Sequence, residues 1–168
     1  MNNENYIVIN GKKAELTEEQ LKALGIDVEE KKETPFTRHP KKPYWSIDAT
    51  GGVARQHEYN ADFDNALYDN VNHFNNHEFA QQVALHQLLY RKLLKYACEN
   101  DAFANDWSDL NSVKYLISKH TRSNKIVVDF NYELKHSNVV YFTNNEVAEQ
   151  AIEDVILPFM VKHPEFVW

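Results

Sequence analysis

The chain has 168 residues, 43% of them hydrophobic and 12% aromatic, enough for one well-buried core with a small appendage and too apolar for general disorder. Residues 1–43 balance at eight acids and eight bases, so the 17 acids and 10 bases of residues 44–168 hold the whole net charge of −7. An acidic body repels phosphate at long range, which counts against a general nucleic-acid binder but leaves room for a local basic groove or for a basic protein partner.

Cys98 is the sole cysteine, which excludes an internal disulfide and suits a reducing cytosol. It sits in a helical pattern as a small core or boundary residue. The polar stretch 1–5 has no basic n-region, and the longest apolar run, near Val155–Val161, is far short of a bilayer span. The expectation is a soluble, cytoplasmic protein.

Tyr6–Ile9 reads as a short strand and Asn10-Gly11 as a hairpin turn, because both positions tolerate positive φ. Residues 14–16 are the return strand. Thr17 and Gln20 have capping-box spacing, Leu21 and Leu24 follow at helical spacing, and Gly25 suits a left-handed helix end. Residues 1–26 are thus expected to form a small ββα module. Residues 27–43 hold nine charged side chains and few apolar ones. They are expected to be a flexible linker, since burial there cannot offset the entropy of ordering.

The body begins at Tyr44. Residues 44–47 and 53–59 read as a strand pair around the glycine-containing turn 48–52. Residues 60–73 are Asn- and Asp-rich but contain Phe63, Leu67, Tyr68 and Val71, so they form a packed connector. Asn75 or Asn76 caps a helix running to about Asn100. Phe79, Val83, His86, Tyr90, Leu93 and Ala97 recur at helical steps and define its buried stripe, widened by Leu85, Leu88, Leu89 and Tyr96. Residues 114–118, 126–130 and 139–142 read as three further strands, with Thr121–Asn124 as a turn. Thr143 and Glu146 have capping-box spacing before a last helix that places Ala148, Ile152, Val155 and Phe159 on one face. Pro158 should kink or end that helix. Phe166 and Trp168 pack the C-terminal end down.

The body reads as written twice. At a shift of 68 residues, five of eleven positions agree between 74–84 and 142–152: Phe74/Phe142, Asn76/Asn144, Glu78/Glu146, Ala80/Ala148 and Gln82/Gln150. Each copy runs hairpin, connector, short strand, capped helix, over about 44–100 and 112–162. The expected fold class is α+β: internally duplicated β-hairpin–strand–helix units forming an antiparallel sheet covered by two main helices, preceded by the ββα module.

Candidate chemistry is sparse. His73 and His77 are four apart, but the helix cap falls between them, so they read as a solvated pair at a helix entry and not as a metal pair. His86 reads as a hydrogen-bonded core residue. Asp62, Asp64 and Asp69 could hold a divalent cation for a metal-dependent nuclease, though turn and cap chemistry explains them better. Arg91, Lys92 and Lys95, with Lys41 and Lys42 beside the aromatic strand Tyr44–Ile47, would suit a nucleic-acid-binding accessory protein. Glu99, Asp101, Asp106 and Asp109 surround Phe103 and Trp107 after the long helix. These six residues are the candidate partner-binding patch, against the plainer reading that Trp107 plugs the core while the acids solvate a loop. No catalytic residue, metal or cofactor is expected.

The opening YIVINGKKAELTEEQLKALGI, the strand pair Tyr44–Val53, the junction YF-x-x-x-E-x-A-x-x-A at residues 141–151 and the ending HPEFVW together resemble a family of small phage and prophage accessory proteins of low-GC Gram-positive bacteria. The resemblance covers nearly the whole chain and brings no functional residues with it. It implies a non-enzymatic protein that binds and inhibits or modulates a host protein. By analogy that partner is a nucleic-acid-binding effector nuclease, as for anti-CRISPR proteins, met by steric and acidic mimicry.

Overall fold

Residues 6–9, 11–25 and 32–168 are described by a computed structural model, in which helices and small antiparallel sheets combine in an α+β arrangement of two units, residues 1–34 and 35–168. In the first unit β1 (Tyr6–Ile9) pairs antiparallel with β2 (Lys12–Glu15), Ile9 lying opposite Lys12. Gly11 takes φ +79° in the turn, and Asn10 lies outside the described residues. The Thr17 hydroxyl accepts from the Gln20 amide at 3.3 Å while Gln20 Oε1 accepts from the Thr17 amide at 2.9 Å. This capping box starts α1 (Glu18–Ala23), and Gly25 at φ +70° follows its end.

The stretch expected to be a linker contributes its second half to the body. Residues 26–31 lie outside the described residues, but residues 35–43 belong to the second unit. Phe36 packs 5.3 Å from the Phe74 ring and 5.4 Å from that of Phe79, and the Pro35 carbonyl accepts from the Asn75 amide at 2.8 Å. One aromatic and one paired arginine, Arg38, supply burial that composition averaged over 17 residues conceals.

In the second unit β3 (Pro43–Ile47) and β4 (Val53–His57) form a hairpin. Its turn is closed by Asp48 Oδ1, which accepts from the Thr50 amide at 2.8 Å, the Thr50 hydroxyl at 2.7 Å and the Gly52 amide at 3.1 Å. Gly51 takes φ +86° there, a left-handed conformation that glycine adopts without strain. The connector contains a helix that the sequence reading missed, α2 (Asp62–Asp69). Ala61 at its N-cap offers no side-chain acceptor, so the usual start signal is missing. Asp64 replaces it by accepting from the Ala61 amide at 3.0 Å.

Asn76 Oδ1 accepts from the Phe79 amide at 2.7 Å and starts α3 (His77–Glu99). Its buried face is Ala80, Ala84, Leu85, Leu89, Leu93 and Ala97. Phe79, Val83 and Tyr90 of the expected stripe lie at its margin, and His86 and Cys98 are exposed. Alanines on the inner face let neighbours approach closely and push the larger rings to the rim.

β5 (Lys114–His120) pairs with β6 (Lys125–Asn131) and with the short β7 (Tyr141–Phe142), in the order β6-β5-β7. The strands therefore form separate small sheets instead of the single sheet expected. Each hairpin takes its extra pairing from the segment just before the following helix: Trp45 bridges to Phe74, and Tyr115 lies opposite Phe142. In both places an Asn cap follows the Phe by two residues, with φ/ψ of −124°/120° at Asn76 and −130°/127° at Asn144. The helices that follow differ: α3 runs 23 residues as one α-helix, whereas α4 (Asn145–Ala151) runs seven before a π segment takes over. Asn144, not Thr143, is the cap of α4, accepting from the Val147 amide at 3.1 Å.

Pro158 neither ends nor breaks the last helix. A π segment, Ile152–Ile156, precedes it and leads into α5 (Leu157–Lys162), with the Leu157 amide bonded to the Ile152 carbonyl. Pro158 cannot donate and its ring would clash with the preceding turn; the wider turn accommodates both defects. The buried positions accordingly step 148, 151, 156, 159, and Ile152 and Val155 fall to the margin. Phe166 is buried 5.3 Å from Phe159, and Gln82 holds the C-terminal segment by donating to the Glu165 carbonyl at 2.7 Å and accepting from the Val167 amide at 2.9 Å.

The two Asn caps each leave an orphan amide if truncated. Asn76→Ala and Asn144→Ala are each expected to lower stability by about 1 kcal/mol, read from the urea unfolding midpoint, with an unchanged transition slope.

Candidate functional site

The strand alternation of β3 turns Tyr44 and Ser46 inward, and Tyr44 meets a cluster of polar side chains gathered from four segments. Glu58, just past β4, is its centre. Arg38 Nε donates to Glu58 Oε2 and Arg38 Nη2 to Glu58 Oε1, both at 2.7 Å, a two-pronged ion pair. The Asn60 amide donates to Oε1 at 2.7 Å, and His73 Nε2 lies 3.2 Å from Oε2. Arg38 Nη1 reaches Asn65 Oδ1 at 2.8 Å, which ties α2 to the pair.

Asp64 forms the second centre. It accepts from the Tyr44 hydroxyl at 2.7 Å and from the Tyr59 and Ala61 amides at 3.0 Å each. Tyr44 and His73 stack at 3.9 Å with 14° between their planes, and Tyr68 meets the His73 ring edge-on. His73 Nδ1 is buried without a hydrogen-bond partner among the described residues.

The electrostatics follow from these contacts. Hydrogen bonding to Arg38 holds the Glu58 carboxyl below the usual carboxylate range against the opposing effect of burial. The Tyr44 hydroxyl and two backbone amides do the same for Asp64. Burial and the Asp64 carboxylate push the Tyr44 phenol up, so it stays protonated. Every carboxylate oxygen in the cluster is occupied, so these acids are fixed as anions and are not poised to accept a proton. Over Arg38 and Glu58 lies a cleft of about 660 Å³, also lined by Pro40, Lys41, His57, Tyr59 and Asn60.

The cluster corrects several expectations. His73 and His77 are not a solvated pair: His73 is 2% exposed inside the cluster, whereas His77 is exposed with its ring 5.9 Å from Trp45. Asp62 and Asp69 are exposed and Asp64 is buried, and among the described residues no group of three His, Cys, Asp or Glu is placed to hold a metal ion. Arg38 and Glu58 carry no mark in the sequence because they are 20 residues apart and share no motif, and His73 is marked only by its spacing to His77. The one available signal was a lone arginine beside an aromatic, Phe36, inside an otherwise linker-like run.

The six residues of the candidate patch after α3 divide into packed aromatics and exposed acids. Trp107 is half-buried edge-on against Tyr141 at 4.8 Å, with Lys114 Nζ at 5.2 Å and Lys135 Nζ at 5.7 Å from its ring. Phe103 is half-buried, bridging to Phe142. Both aromatics are thus built into the body. Glu99, Asp101, Asp106 and Asp109 are exposed, Glu99 paired with Lys95 and Asp106 accepting from the Ser108 amide and hydroxyl.

Removal of the arginine leaves a buried anion without its counter-charge. Arg38→Met is expected to cost about 3 kcal/mol in urea unfolding. Because the Glu58 and Asp64 pKa values are depressed in the folded state, their stabilisation is complete above the ordinary carboxylate range of about 4 and is lost as pH falls through the folded values. The melting temperature should therefore drop in acid, and less steeply in Glu58→Gln. Compared with known protein families, with curated proteins and with solved structures, the chain matches none.

Proposed function

We propose that the chain is a binding protein and not a catalyst: a phage-borne factor, working in the host cytoplasm, that inhibits or modulates a nucleic-acid-handling effector in the manner of an anti-CRISPR protein. The supporting observation is the outer face of the last helix. Residues 145–156 contain four acids and no base, and Glu146, Glu149, Glu153 and Asp154 are all exposed. Along a helix, steps of three and four residues space such charges by about 4.5 and 6 Å. A rigid row of negative charge at that spacing offers a basic channel what a nucleic-acid backbone offers it.

The row is firmly mounted. Ala148 and Ala151 are fully buried beneath it, and the Tyr96 hydroxyl donates to Asp154 at 2.9 Å, which links it to the end of α3 that bears Glu99. Asp101, Asp106 and Asp109, which follow α3 in the chain, are exposed acids as well. The saturated state of Glu58 and Asp64 supports binding over catalysis. The likeness of the two hairpin–strand–cap units supports a duplicated scaffold, which belongs to this proposal.

One observation favours direct nucleic-acid binding as a second reading. Residues 113–128 contain no acid, and the β5–β6 hairpin brings Lys119, Arg122 and Lys125 to its turn. The aromatic platform first expected for that role is withdrawn, since Tyr44 is 1% exposed.

Target cleavage by a purified RNA-guided nuclease separates the two. The chain is expected to inhibit cleavage, and the triple variant Glu146→Lys/Glu149→Lys/Glu153→Lys to lose that inhibition while keeping its melting temperature. Unimpeded cleavage, together with retardation of the nucleic acid that Lys119→Glu/Arg122→Glu/Lys125→Glu abolishes, would establish the second reading instead.

A further inference from the structure

We propose that the cleft between residues 38–41 and 57–60 binds a nucleotide, a flat ring bearing a phosphate. Its volume of about 660 Å³ falls within the range of small-molecule sites. One part of its lining is flat. Tyr59 is 80% exposed, the His57 ring lies 6.1 Å from it at 36°, and Pro40 adds a third ring. An exposed tyrosine in a concave wall is a surface on which a base can stack.

The other part is made of donors. Lys41 and His57 are exposed beside Arg38. Among the described residues the only carboxylate in the lining is Glu58, and its oxygens already take Arg38, the Asn60 amide and His73. Glu58 neutralises Arg38 but has no acceptor left for a ligand. The cleft therefore presents a net positive charge from Lys41 within an acidic body, which selects an anion with acceptor oxygens.

The backbone turns sharply on both sides of the cleft: Lys41 at φ +63° and Asn60 at φ +57° both take the left-handed conformation, which asparagine adopts readily, and they stand on the two segments that line it. Asn60 is held in place by its backbone amide, which donates to the Glu58 carboxylate, and the ion pair of Arg38 with Glu58 ties the two segments together. The site is thus formed before any ligand arrives, and it does not involve the acidic face of the last helix.

Isothermal titration with adenosine monophosphate tests the assignment, with adenosine, inorganic phosphate and a single-stranded oligoadenylate as parallel probes. The monophosphate should bind, and adenosine and phosphate should each bind about tenfold more weakly, since each lacks one of the two recognised parts. Tyr59→Ala and Lys41→Glu should each weaken the monophosphate about tenfold with unchanged circular dichroism, and Lys92→Glu on α3 should have no effect. Tighter binding of the oligoadenylate with the same sensitivity to both variants would support the site and assign its nucleotide to a strand. Three outcomes would overturn the proposal: no heat from the monophosphate at millimolar concentration, phosphate alone binding as tightly, or binding that survives both variants.

Discussion

The first half of the body depends on one buried carboxylate. Glu58 is 5% exposed and draws donors from a preceding loop, its own following turn and the segment ahead of α3. A charge in that position is tolerable only if every lone pair is engaged, so three stretches of chain must arrive together. Arg38 in turn reaches Asn65 on α2, and Asp64 one residue earlier fixes Tyr44. These bonds tie the β3–β4 hairpin, α2 and the start of α3 to one another.

The second half is held by different physics. Its core is a cluster of apolar side chains from α3, the β5–β6–β7 sheet and the last helix, with Phe142, Ala148, Ala151 and Ile156 fully buried. Lys114 shows how the two styles meet: it is 1% exposed, donates to the Asp109 and Ser112 carbonyls, and lies against Trp107. The same lysine that closes the loop fills the space beside the tryptophan. The acids of that loop stay at the surface, where Asp106 and Asp109 hold local turns by accepting from Ser108 and from the Asn111 amide.

Local chemistry was legible in the sequence, and long-range chemistry was not. The Asn10-Gly11 turn signal, the Thr17 capping box, the Asn cap of α3 and the β-branched run of β6 announce themselves within a few residues, and the elements stand where those signals place them. α2 was hidden because Ala61 gives no cap signal. The stripe of α3 holds at Leu85, Leu89, Leu93 and Ala97, but Ala80 and Ala84 take inner positions while Phe79, Val83 and Tyr90 lie at the margin. The polar cluster has no local signal at all: Arg38 pairs with a residue 20 positions away, and its neighbours in sequence have the composition of a tether. The duplicated pattern drew attention to Asn76 and Asn144, which are indeed the caps, but it could not show that each hairpin would keep its own sheet.

The wide turn ahead of Pro158 has a consequence for the far end of the chain. One surplus residue in a helix advances everything after it by about 100° around the axis. After that advance Phe159 is buried against Phe166, whose ring lies 4.8 Å from that of His86 on α3, and the contacts of Gln82 with residues 165 and 167 complete the same closure. A proline that would ordinarily interrupt a helix here sets the clock by which the tail finds its seat.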